Sequence, residues 1–298
     1  MAGLAIKSRP SYARRMTKLA FLGTGLMGSG LAEAAAKRGD QVTAWNRTLA
    51  KAQPLATHGV RVATSPADAV AGADRVHLIL TDDAVVDSVL ESCGGALRGP
   101  LVIDHTTASP AGTAARAGKL EARGVAFLHA PVFMTPAMCR AGQGLMLAAG
   151  PASVFERAAP GLRAMTGTVE YLGERRDLAA AHKLFGNAMI LTITAGLSDI
   201  FALAKSLGIS PGEAHGLFAK FNAAGTIAGR GLNMSKGDYR ASFELTMARK
   251  DARLMIEAAR GERLAVLPAI AARMDELLAR GLGADDVGVL AADAVARR

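Results

Sequence analysis

The sequence predicts an α/β domain followed by an all-α domain, with one long helix joining the two. From Lys18 to about residue 175, short apolar segments alternate with helical stretches, a pattern typical of a parallel sheet with helices on both faces. Beyond that point the apolar segments stop, and the composition changes from Val and Gly to Ala and Leu. The domain boundary is therefore expected near residue 175.

The strands are predicted where a short apolar run is bounded by turn residues. They are Leu19–Leu22, Val42–Trp45, Val76–Leu80, Leu101–Asp104, Val125–His129, Leu145–Ala149 and Val169–Leu172. The helices predicted between them are Leu26–Lys37, Leu49–His58, Ser65–Val70, Asp83–Ser92, Pro110–Arg123 and Ala152–Met165. Several of these helices end at a glycine suited to a C-cap, such as Gly39, Gly124 and Gly167.

The second part of the chain is predicted to be helical. Asp177–Leu207 is expected to form one helix, which Asp177 caps and Gly208 ends. The further predicted helices are Pro211–Phe221, Phe243–Arg260, Leu267–Arg280 and Ala284–Ala296. The expected organisation is a flexible basic tail over residues 1–16, an α/β domain over 17–175 and an all-helical domain over 176–298.

The composition excludes several classes of protein. Hydrophobic residues make up 50% and charged residues 20% of the 298 residues, which excludes extensive disorder. With Cys93 and Cys139 as the only cysteines, a disulfide scaffold is excluded and a reducing compartment is favoured, so we expect a cytoplasmic location. No uninterrupted apolar run approaches the about 20 residues of a membrane helix, which predicts a soluble protein with no membrane partner.

The net charge is +9, and part of it lies in an acid-poor tail that contains Lys7, Arg9, Arg14 and Arg15. This tail is basic like a transit peptide but lacks the apolar segment of a secretory signal. We interpret it as a flexible leader before a natural start at Met16. Aromatic residues make up only 4%, and no basic run stands beside stacking residues, so no nucleic-acid partner is predicted.

The first predicted strand is followed by a glycine-rich loop. Gly23, Gly25 and Gly28 form the pattern G-x-G-x-x-G, and the loop opens the first helix, which is the context that a dinucleotide-binding motif requires. Gly23 permits the tight turn, Gly25 lets a pyrophosphate approach the backbone, and Gly28 lets helix and strand pack closely. The first domain is therefore predicted to be a Rossmann domain that binds a nicotinamide dinucleotide.

The end of the second strand indicates which dinucleotide is bound. A site for NAD usually has an acid here for the ribose hydroxyl groups, whereas this strand continues into Asn46, Arg47 and Thr48. Arg47 can pair with a 2′-phosphate, and Asn46 and Thr48 can add hydrogen bonds. The pattern favours NADP(H) over NAD(H), although Arg47 could also be an ordinary surface arginine.

A lysine lies in the apolar part of the long helix. Helices that are apolar on every face are buried, and a buried lysine is rare unless it is paired or functional. Asn187 follows Lys183 by one turn, so both side chains project from one face, and an ammonium group there can exchange a proton with a reacting oxygen. The alternative is that Lys183 extends to solvent at the helix edge.

The remaining titratable residues show no metal-binding pattern. His58, His77, His129 and His215 have no ligand spacing with one another or with the cysteines, so no metal is predicted.

Four motifs, in order, resemble the β-hydroxyacid dehydrogenases, which include 3-hydroxyisobutyrate dehydrogenase and the glyoxylate/succinic semialdehyde reductases and are similar to 6-phosphogluconate dehydrogenase. They are Gly23–Gly28, Asp104–Pro110, Lys183–Asn187, and a segment from Asp238 through Phe243 to Asp251. The resemblance extends from about Thr17 to beyond Leu254.

The resemblance implies roles for individual residues. Lys183 would be the general acid/base, Asn187 would orient the substrate, Thr106 would contact substrate or cofactor, and Lys250 would line the nicotinamide end. Leu26, Met27, Leu80 and Thr81 would complete the cofactor site, and Phe243 would border the substrate.

The substrate loop departs from the family pattern. Where the family has A-P-V-S-G-G, this chain has Ala130-Pro-Val-Phe133-Met134-Thr135, which adds bulk and removes a serine hydroxyl. Either Thr135 and nearby amides bind a carboxylate in another way, or the substrate is more apolar. The identity of the substrate is therefore not inherited.

The function expected from these observations is hydride transfer between NADPH and a small aldehyde or keto acid, or the corresponding 3-hydroxy acid. Two alternatives stay open: reduction of C=N bonds as in imine reductases, and an NADP-binding scaffold without turnover. The apolar long helix predicts a homodimer or homotetramer.

Overall fold

The computed structural model describes residues 16–297, so the predicted basic tail lies, apart from Met16, outside the described residues. The chain divides into two compact units, one that extends to Gly186 and one that begins at Asn187. The division falls within the long helix, whereas the bounds predicted from the sequence lie near residue 175.

A six-stranded sheet forms the centre of the first unit. Its strands are β1 (Lys18–Leu22), β2 (Gln41–Trp45), β3 (Arg61–Val62), β4 (Arg75–Leu78), β5 (Leu101–Asp104) and β6 (Phe127–His129). They are hydrogen-bonded in the order β3-β2-β1-β4-β5-β6, and every pair is parallel. The predicted parallel sheet is confirmed, and its order reverses direction between β1 and β4, where ligands bind in such sheets.

Helices cover both faces of this sheet. The first unit contains α1 (Leu26–Lys37), α2 (Pro66–Val70), α3 (Asp83–Cys93), α4 (Pro110–Ala122), α5 (Pro136–Ala141), α6 (Ala152–Thr166) and the start of α7 (Leu178–Ser206). Phe21 and Ile103 belong to one hydrophobic cluster, whereas their neighbours Leu22 and Val102 belong to another. Because successive strand residues point to opposite faces, the two clusters are the two buried faces of the sheet.

A second, three-stranded sheet was not predicted. It consists of β7 (Val132–Phe133), β8 (Leu145–Ala148) and β9 (Thr168–Tyr171). β7 and β8 are antiparallel, whereas β8 and β9 are parallel. The prediction that placed β8 and β9 in a single parallel sheet is wrong, because an apolar run indicates a strand without indicating its partner, and β7 is too short to recognise.

The predicted helix Leu49–His58 is replaced by two 3₁₀ turns, Leu49–Lys51 and Gln53–His58. Pro54 lies at the start of the second turn. It has no N–H for a helix hydrogen bond, so a continuous α-helix cannot pass through this position.

The second unit is helical, as predicted. After α7 it contains α8 (Pro211–Gly216), α9 (Gly225–Ala228), α10 (Arg230–Ser235), α11 (Leu245–Ala258) and α12 (Leu267–Ala279). Gly208 adopts φ +72° directly after α7, as the predicted C-cap requires. Tyr239, Leu245, Met274 and Leu277 are among the residues that form its core.

The helix predicted over Ala284–Ala296 is absent, and only a 3₁₀ turn forms at Val287–Ala291. The buried carboxylate of Asp286 accepts hydrogen bonds from the backbone N–H groups of Ser242, Phe243 and Gly288. These bonds hold the segment in a non-helical path, and they join residues too far apart in the chain to be read from periodicity.

The prediction of no membrane helix was based on uninterrupted apolar runs, and α7 meets the criteria for a membrane helix only when a run with charged residues in it is counted. Among the described residues, α7 is long and apolar enough to cross a membrane by length and composition, with a mean hydropathy of 1.5. Only 11% of its most apolar stretch is buried within the chain. Lys183 and Asp199 interrupt the apolar run, so the sequence suggested a shorter segment than the helix provides.

Candidate active site

The loop between β1 and α1 has a backbone that only glycine can adopt at its first position. Gly23 has φ +104°, and a Cβ atom there would lie 2.1 Å from the carbonyl oxygen of Ile79. Its N–H donates to the carbonyl oxygen of Trp45 at 2.9 Å. Three backbone segments therefore meet at this residue without an intervening side chain.

The other two glycines of the motif differ from each other. A Cβ atom at Gly28 would lie 2.0 Å from the carbonyl oxygen of Gly23, so helix packing requires glycine. A Cβ atom at Gly25 would meet nothing within 4 Å. Gly25 is the N-cap of α1 and supplies no side-chain cap, so the helix N-terminus opens onto free space suited to a phosphate.

A cavity of about 690 Å³ lies beside this loop in the first unit. The residues that line it include most of those predicted to bind the cofactor: Gly23, Gly25, Leu26, Met27, Asn46, Arg47, Thr48, Leu80 and Thr81. Gly28 and Thr106 do not line it but support residues that do. The cavity thus brings together the glycine loop, the end of β2 and the loop after β4.

The charged side chains that line the cavity are all positive. Arg47 and Lys51 both line it, and no acidic side chain is among its lining residues. Sequence reasoning missed Lys51, which the 3₁₀ turn Leu49–Lys51 directs to the same cavity as Arg47. The spacing of four residues between Arg47 and Lys51 in the sequence could have indicated that both cations face the same site.

Asn46 lines the cavity and also joins two backbone segments. Its Oδ1 atom accepts a hydrogen bond from the N–H of Thr24 at 3.1 Å, and its Nδ2 atom donates to the carbonyl oxygen of Thr48 at 3.0 Å. The amide therefore joins the glycine loop to the loop after β2 and supports both.

Thr106 is buried and supports the loop after β4. Its Oγ1 atom accepts a hydrogen bond from the N–H of Leu80 at 3.0 Å. Its own N–H donates to Oδ1 of Asp104 at 2.9 Å. Thr106 thereby positions Leu80 and the exposed Thr81 at the cavity.

Sequence reasoning missed an ionic cluster around the buried Arg116. The Arg116 side chain is only 2% exposed and donates to Oδ1 of Asp83 at 2.7 Å and to Oδ1 of Asp87 at 2.6 Å. Its Nη1 atom is 3.5 Å from Oδ2 of the fully buried Asp104. Burial opposes the charge of Arg116, but the hydrogen bonds to Asp83 and Asp87 raise its pKa.

Two buried histidines, His77 and His105, contact each other below the substrate segment. His105 hydrogen-bonds to the carbonyl oxygen of Ala130 at 2.6 Å and to the ring of His77 at 2.9 Å. Burial lowers the pKa of His105 to about 4 and also lowers the pKa of His77. Within residues 16–297 no group of three His, Cys, Asp or Glu side chains is placed to hold a metal ion.

Lys183 is buried, with 9% of its surface exposed, so the alternative in which it extends to solvent is wrong. Its Nζ atom donates to the carbonyl oxygen of Val132 at 2.8 Å and lies 3.9 Å from the centre of the Phe133 ring. Burial lowers the pKa of Lys183, which favours the neutral amine relative to an exposed lysine.

The substrate loop is held by its own local contacts. Oγ1 of Thr135 accepts a hydrogen bond from the N–H of Met138 and caps α5. Met134 is partly buried against the core, and Gly144, with φ +121°, leaves room for its side chain. Thr135 therefore has a capping role that the sequence did not indicate.

Three predicted site residues belong to the second unit. Asn187 follows Lys183 by one turn of α7 and is half-buried. Phe243 is 38% exposed, and its N–H donates to Asp286. Lys250 forms an ion pair with Asp251 at 2.9 Å.

A parallel sheet with an open glycine loop after its first strand is the arrangement that binds dinucleotides. Residues 18–173 match the NAD binding domain of 6-phosphogluconate dehydrogenase. Glyoxylate/succinic semialdehyde reductases 1 and 2 of Arabidopsis thaliana are each 30% identical over 279 residues, which cover 91% and 90% of this chain. The match covers 95% of reductase 1 and 76% of the chloroplastic reductase 2. The chain belongs to the β-hydroxyacid dehydrogenase family.

A solved structure supports the same assignment. The reductive aminase from Aspergillus terreus, in complex with NADPH and ethyl levulinate, superposes with a TM-score of 0.87 at 27% identity. The superposition covers 94% of this chain and all of that one. The protein is thus an NAD(P)-dependent oxidoreductase with the fold that the sequence predicted.

Proposed function

We propose that the protein is an NADPH-dependent reductase of a small aldehyde or keto acid, acting in reverse on the 3-hydroxy acid. Lys183 is its general acid/base. The observation that carries the proposal is the buried Lys183, held at a defined position by Val132. The two plant relatives are named as reductases of glyoxylate and succinic semialdehyde, which supports this reaction type.

The described residues fit NADPH. The space at Gly25 and the open N-terminus of α1 suit the pyrophosphate, and Arg47 with Lys51 suits a 2′-phosphate. No acid lines the cavity to hold the ribose hydroxyl groups or to repel that phosphate. The bound cofactor supplies the hydride, and the protein supplies orientation and charge.

Lys183 supplies the proton. As a carbonyl carbon is reduced, negative charge develops on its oxygen, and a protonated amine beside it donates a proton. In the oxidation direction the neutral amine takes a proton from the hydroxyl group. Burial lowers the pKa of Lys183 and so makes both forms more accessible near neutral pH. Asn187, on the same helix face, orients the substrate oxygen, with Phe243 and Lys250 as the family's further contacts.

The test is NADPH oxidation with glyoxylate, succinic semialdehyde, an apolar aldehyde and a cyclic imine, with NADH measured alongside. Lys183→Ala is expected to reduce turnover about 10²- to 10⁴-fold while leaving the dissociation constant for NADPH within about twofold. Lys119→Ala, at an exposed position on α4, is the matched control. Unchanged turnover in Lys183→Ala would remove Lys183 from the mechanism.

Reduction of a C=N bond is the second candidate. It is favoured by the likeness to a reductive aminase and by the apolar Phe133 and Met134 in the substrate loop. Turnover of the cyclic imine in preference to every aldehyde would establish it. Binding of NADPH without turnover of any acceptor would instead favour an NADP-binding scaffold.

We also propose a homodimer formed through α7. Leu184, Phe185, Ile190 and Leu191 are among its exposed apolar side chains. Although α7 as a whole has the length and composition of a membrane helix, the charged residues Lys183 and Asp199 interrupt it, which favours a second copy over a lipid environment. Light scattering at micromolar concentration tests this: twice the chain mass is expected, four times indicates a tetramer, and a monomer that binds vesicles contradicts it.

We further propose that the protein is cytoplasmic and that it has no nucleic-acid partner. Cys93 and Cys139 are both free and buried, which is compatible with a reducing compartment. Fractionation of the source cells tests the location, and retention on nucleic acid at physiological salt would contradict the predicted absence of that partner.

A further inference from the structure

We propose that Phe133 is a positioning residue for Lys183, with its ring held beside the ammonium group by a notch in α7 at Gly186. This inference rests on the proposed role of Lys183. It gives a role to the aromatic residue that this chain has in its substrate loop.

Two adjacent residues of β7 contact Lys183. The carbonyl oxygen of Val132 accepts a hydrogen bond from Nζ at 2.8 Å, and the Phe133 ring centre lies 3.9 Å from Nζ. Val132 is the only acceptor for Nζ among the described residues. An ammonium group has three N–H donors, and Val132 accepts one of them, so donors remain for a substrate oxygen.

Gly186 makes room for the ring. A Cβ atom at Gly186 would lie 2.3 Å from Cζ and 2.7 Å from Cε1 of Phe133. Gly186 is one helical turn from Lys183 and faces the same way. Glycine weakens a helix interior, so its presence in α7 is explained by this contact and not by helix stability.

The ring acts on the charge state of the lysine. The face of an aromatic ring attracts a cation, and the attraction is stronger when the pair is shielded from water. Burial opposes the charge of Lys183, and no charged neighbour among the described residues contributes to lowering its pKa. His182, the adjacent titratable group on α7, is exposed. The Val132 carbonyl oxygen and the Phe133 ring are thus the two contacts that favour the protonated amine, and of the two only the ring can be removed by substitution.

The test measures the titration of Lys183 itself. The protein as purified is labelled with a trace of acetic anhydride over a range of pH, and acetylation of Lys183 is quantified by mass spectrometry. In Phe133→Leu and in Gly186→Ala, the midpoint is expected at lower pH, with about 2- to 10-fold faster labelling at a fixed pH below the midpoint. Phe133→Tyr keeps the ring face and is expected to restore the wild-type midpoint.

Gly118→Ala is the matched control for Gly186→Ala. Gly118 lies in α4, is exposed, and a Cβ atom there would meet nothing within 4 Å. Its midpoint is expected to be unchanged. A change in plateau rate without a change in midpoint would show a change in access alone and would overturn the inference. A midpoint at higher pH in Phe133→Leu, as water entry would cause, would also overturn it.

The outcome separates this inference from the proposed function. Labelling needs no substrate, so a shifted midpoint supports the role of Phe133 even if Lys183→Ala retains turnover. An unshifted midpoint overturns the inference while loss of turnover in Lys183→Ala still supports the reaction. With an active substrate, the alkaline limb of the kcat/KM profile for reduction is expected to move to lower pH in both variants, because the protonated amine is the acid.

Discussion

The side-chain oxygen of Asn46 accepts a hydrogen bond from the backbone N–H of Thr24 at 3.1 Å, which joins the end of β2 to the glycine loop. The same amide donates to the carbonyl oxygen of Thr48. One uncharged side chain therefore holds both the glycine loop and the loop that carries Arg47, and a change at Asn46 can affect each.

Substitution of Asn46 by Asp is expected to alter cofactor preference. An aspartate keeps the acceptor for Thr24, loses the donor to Thr48 and brings a negative charge to a cavity whose lining has no acid. Repulsion of a 2′-phosphate should lower the ratio of kcat/KM for NADPH over NADH about 10-fold or more. Asn46→Ala, which removes both bonds without adding charge, should weaken both cofactors equally. An unchanged ratio in Asn46→Asp would contradict a phosphate beside this loop.

Removal of Arg47 is expected to affect NADPH but not NADH. A hydrogen bond between charged groups contributes about 1.5–3 kcal/mol, so KM for NADPH should rise about 10- to 100-fold in Arg47→Ala. Lys51→Ala should show a smaller rise, since an ammonium group acts as a point charge. Arg98→Ala, outside the cavity, is the control. Equal losses with NADPH and NADH would mean that Arg47 supports the fold of the loop instead.

Substitution by alanine is expected to lower the stability of the fold at Gly28 and to weaken NADPH binding at Gly25. A Cβ atom at Gly28 would lie 2.0 Å from a backbone oxygen, so Gly28→Ala should lower the free energy of unfolding by about 1–3 kcal/mol. At Gly25 the space is open, so Gly25→Ala should unfold at the wild-type temperature yet bind NADPH at least about 10-fold more weakly. Thermal melts and a fluorescence titration measure the two effects. Wild-type cofactor affinity in Gly25→Ala would exclude a pyrophosphate at that position.

Glu33 is expected to make stability depend on pH. Hydrogen bonds from Lys37 at 2.7 Å and Arg140 at 2.8 Å lower the pKa of the Glu33 carboxyl group to about 2. A carboxyl group whose pKa is lower in the folded chain stabilises it fully above about pH 4.5, and this contribution is lost as the pH falls toward 2. In urea, Glu33→Gln should therefore be on the order of 2 kcal/mol less stable than wild type at pH 7, with the difference shrinking below pH 4.

Glu91→Gln, at an exposed position on α3, provides the control for Glu33 and should follow the wild type at every pH. A constant difference between Glu33→Gln and wild type from pH 7 to pH 3 would show that packing, not charge, is responsible.

The sequence predicted the parts of the site that depend on local pattern. The position of the glycine loop and the absence of an acid after β2 both follow from residues close together in the chain, because a strand, its turn and the next helix are local features. The same holds for Lys183, whose apolar neighbours indicated burial.

Contacts between distant segments could not be predicted. Phe133 and Lys183 are brought together by β7, a strand of two residues that has no recognisable period. The ion pairs of Arg116 could not be predicted from its neighbours in the sequence, because its partners Asp83 and Asp87 lie on another helix. The support that Asn46 gives to the glycine loop was not predicted, because its bond to Thr24 joins residues 22 positions apart in the chain.

The three backbone segments that meet at Gly23 also determine how the loop moves. Its amide is bonded to Trp45 of β2, and its α-carbon lies against the carbonyl group of Ile79, so the loop cannot open unless β1, β2 and the end of β4 separate. We therefore expect no local unfolding of this loop while the sheet is intact. The amide hydrogen of Gly23 should therefore exchange with deuterium at the slow rate at which the whole sheet opens. The cofactor should bind to and leave a glycine loop that is already rigid.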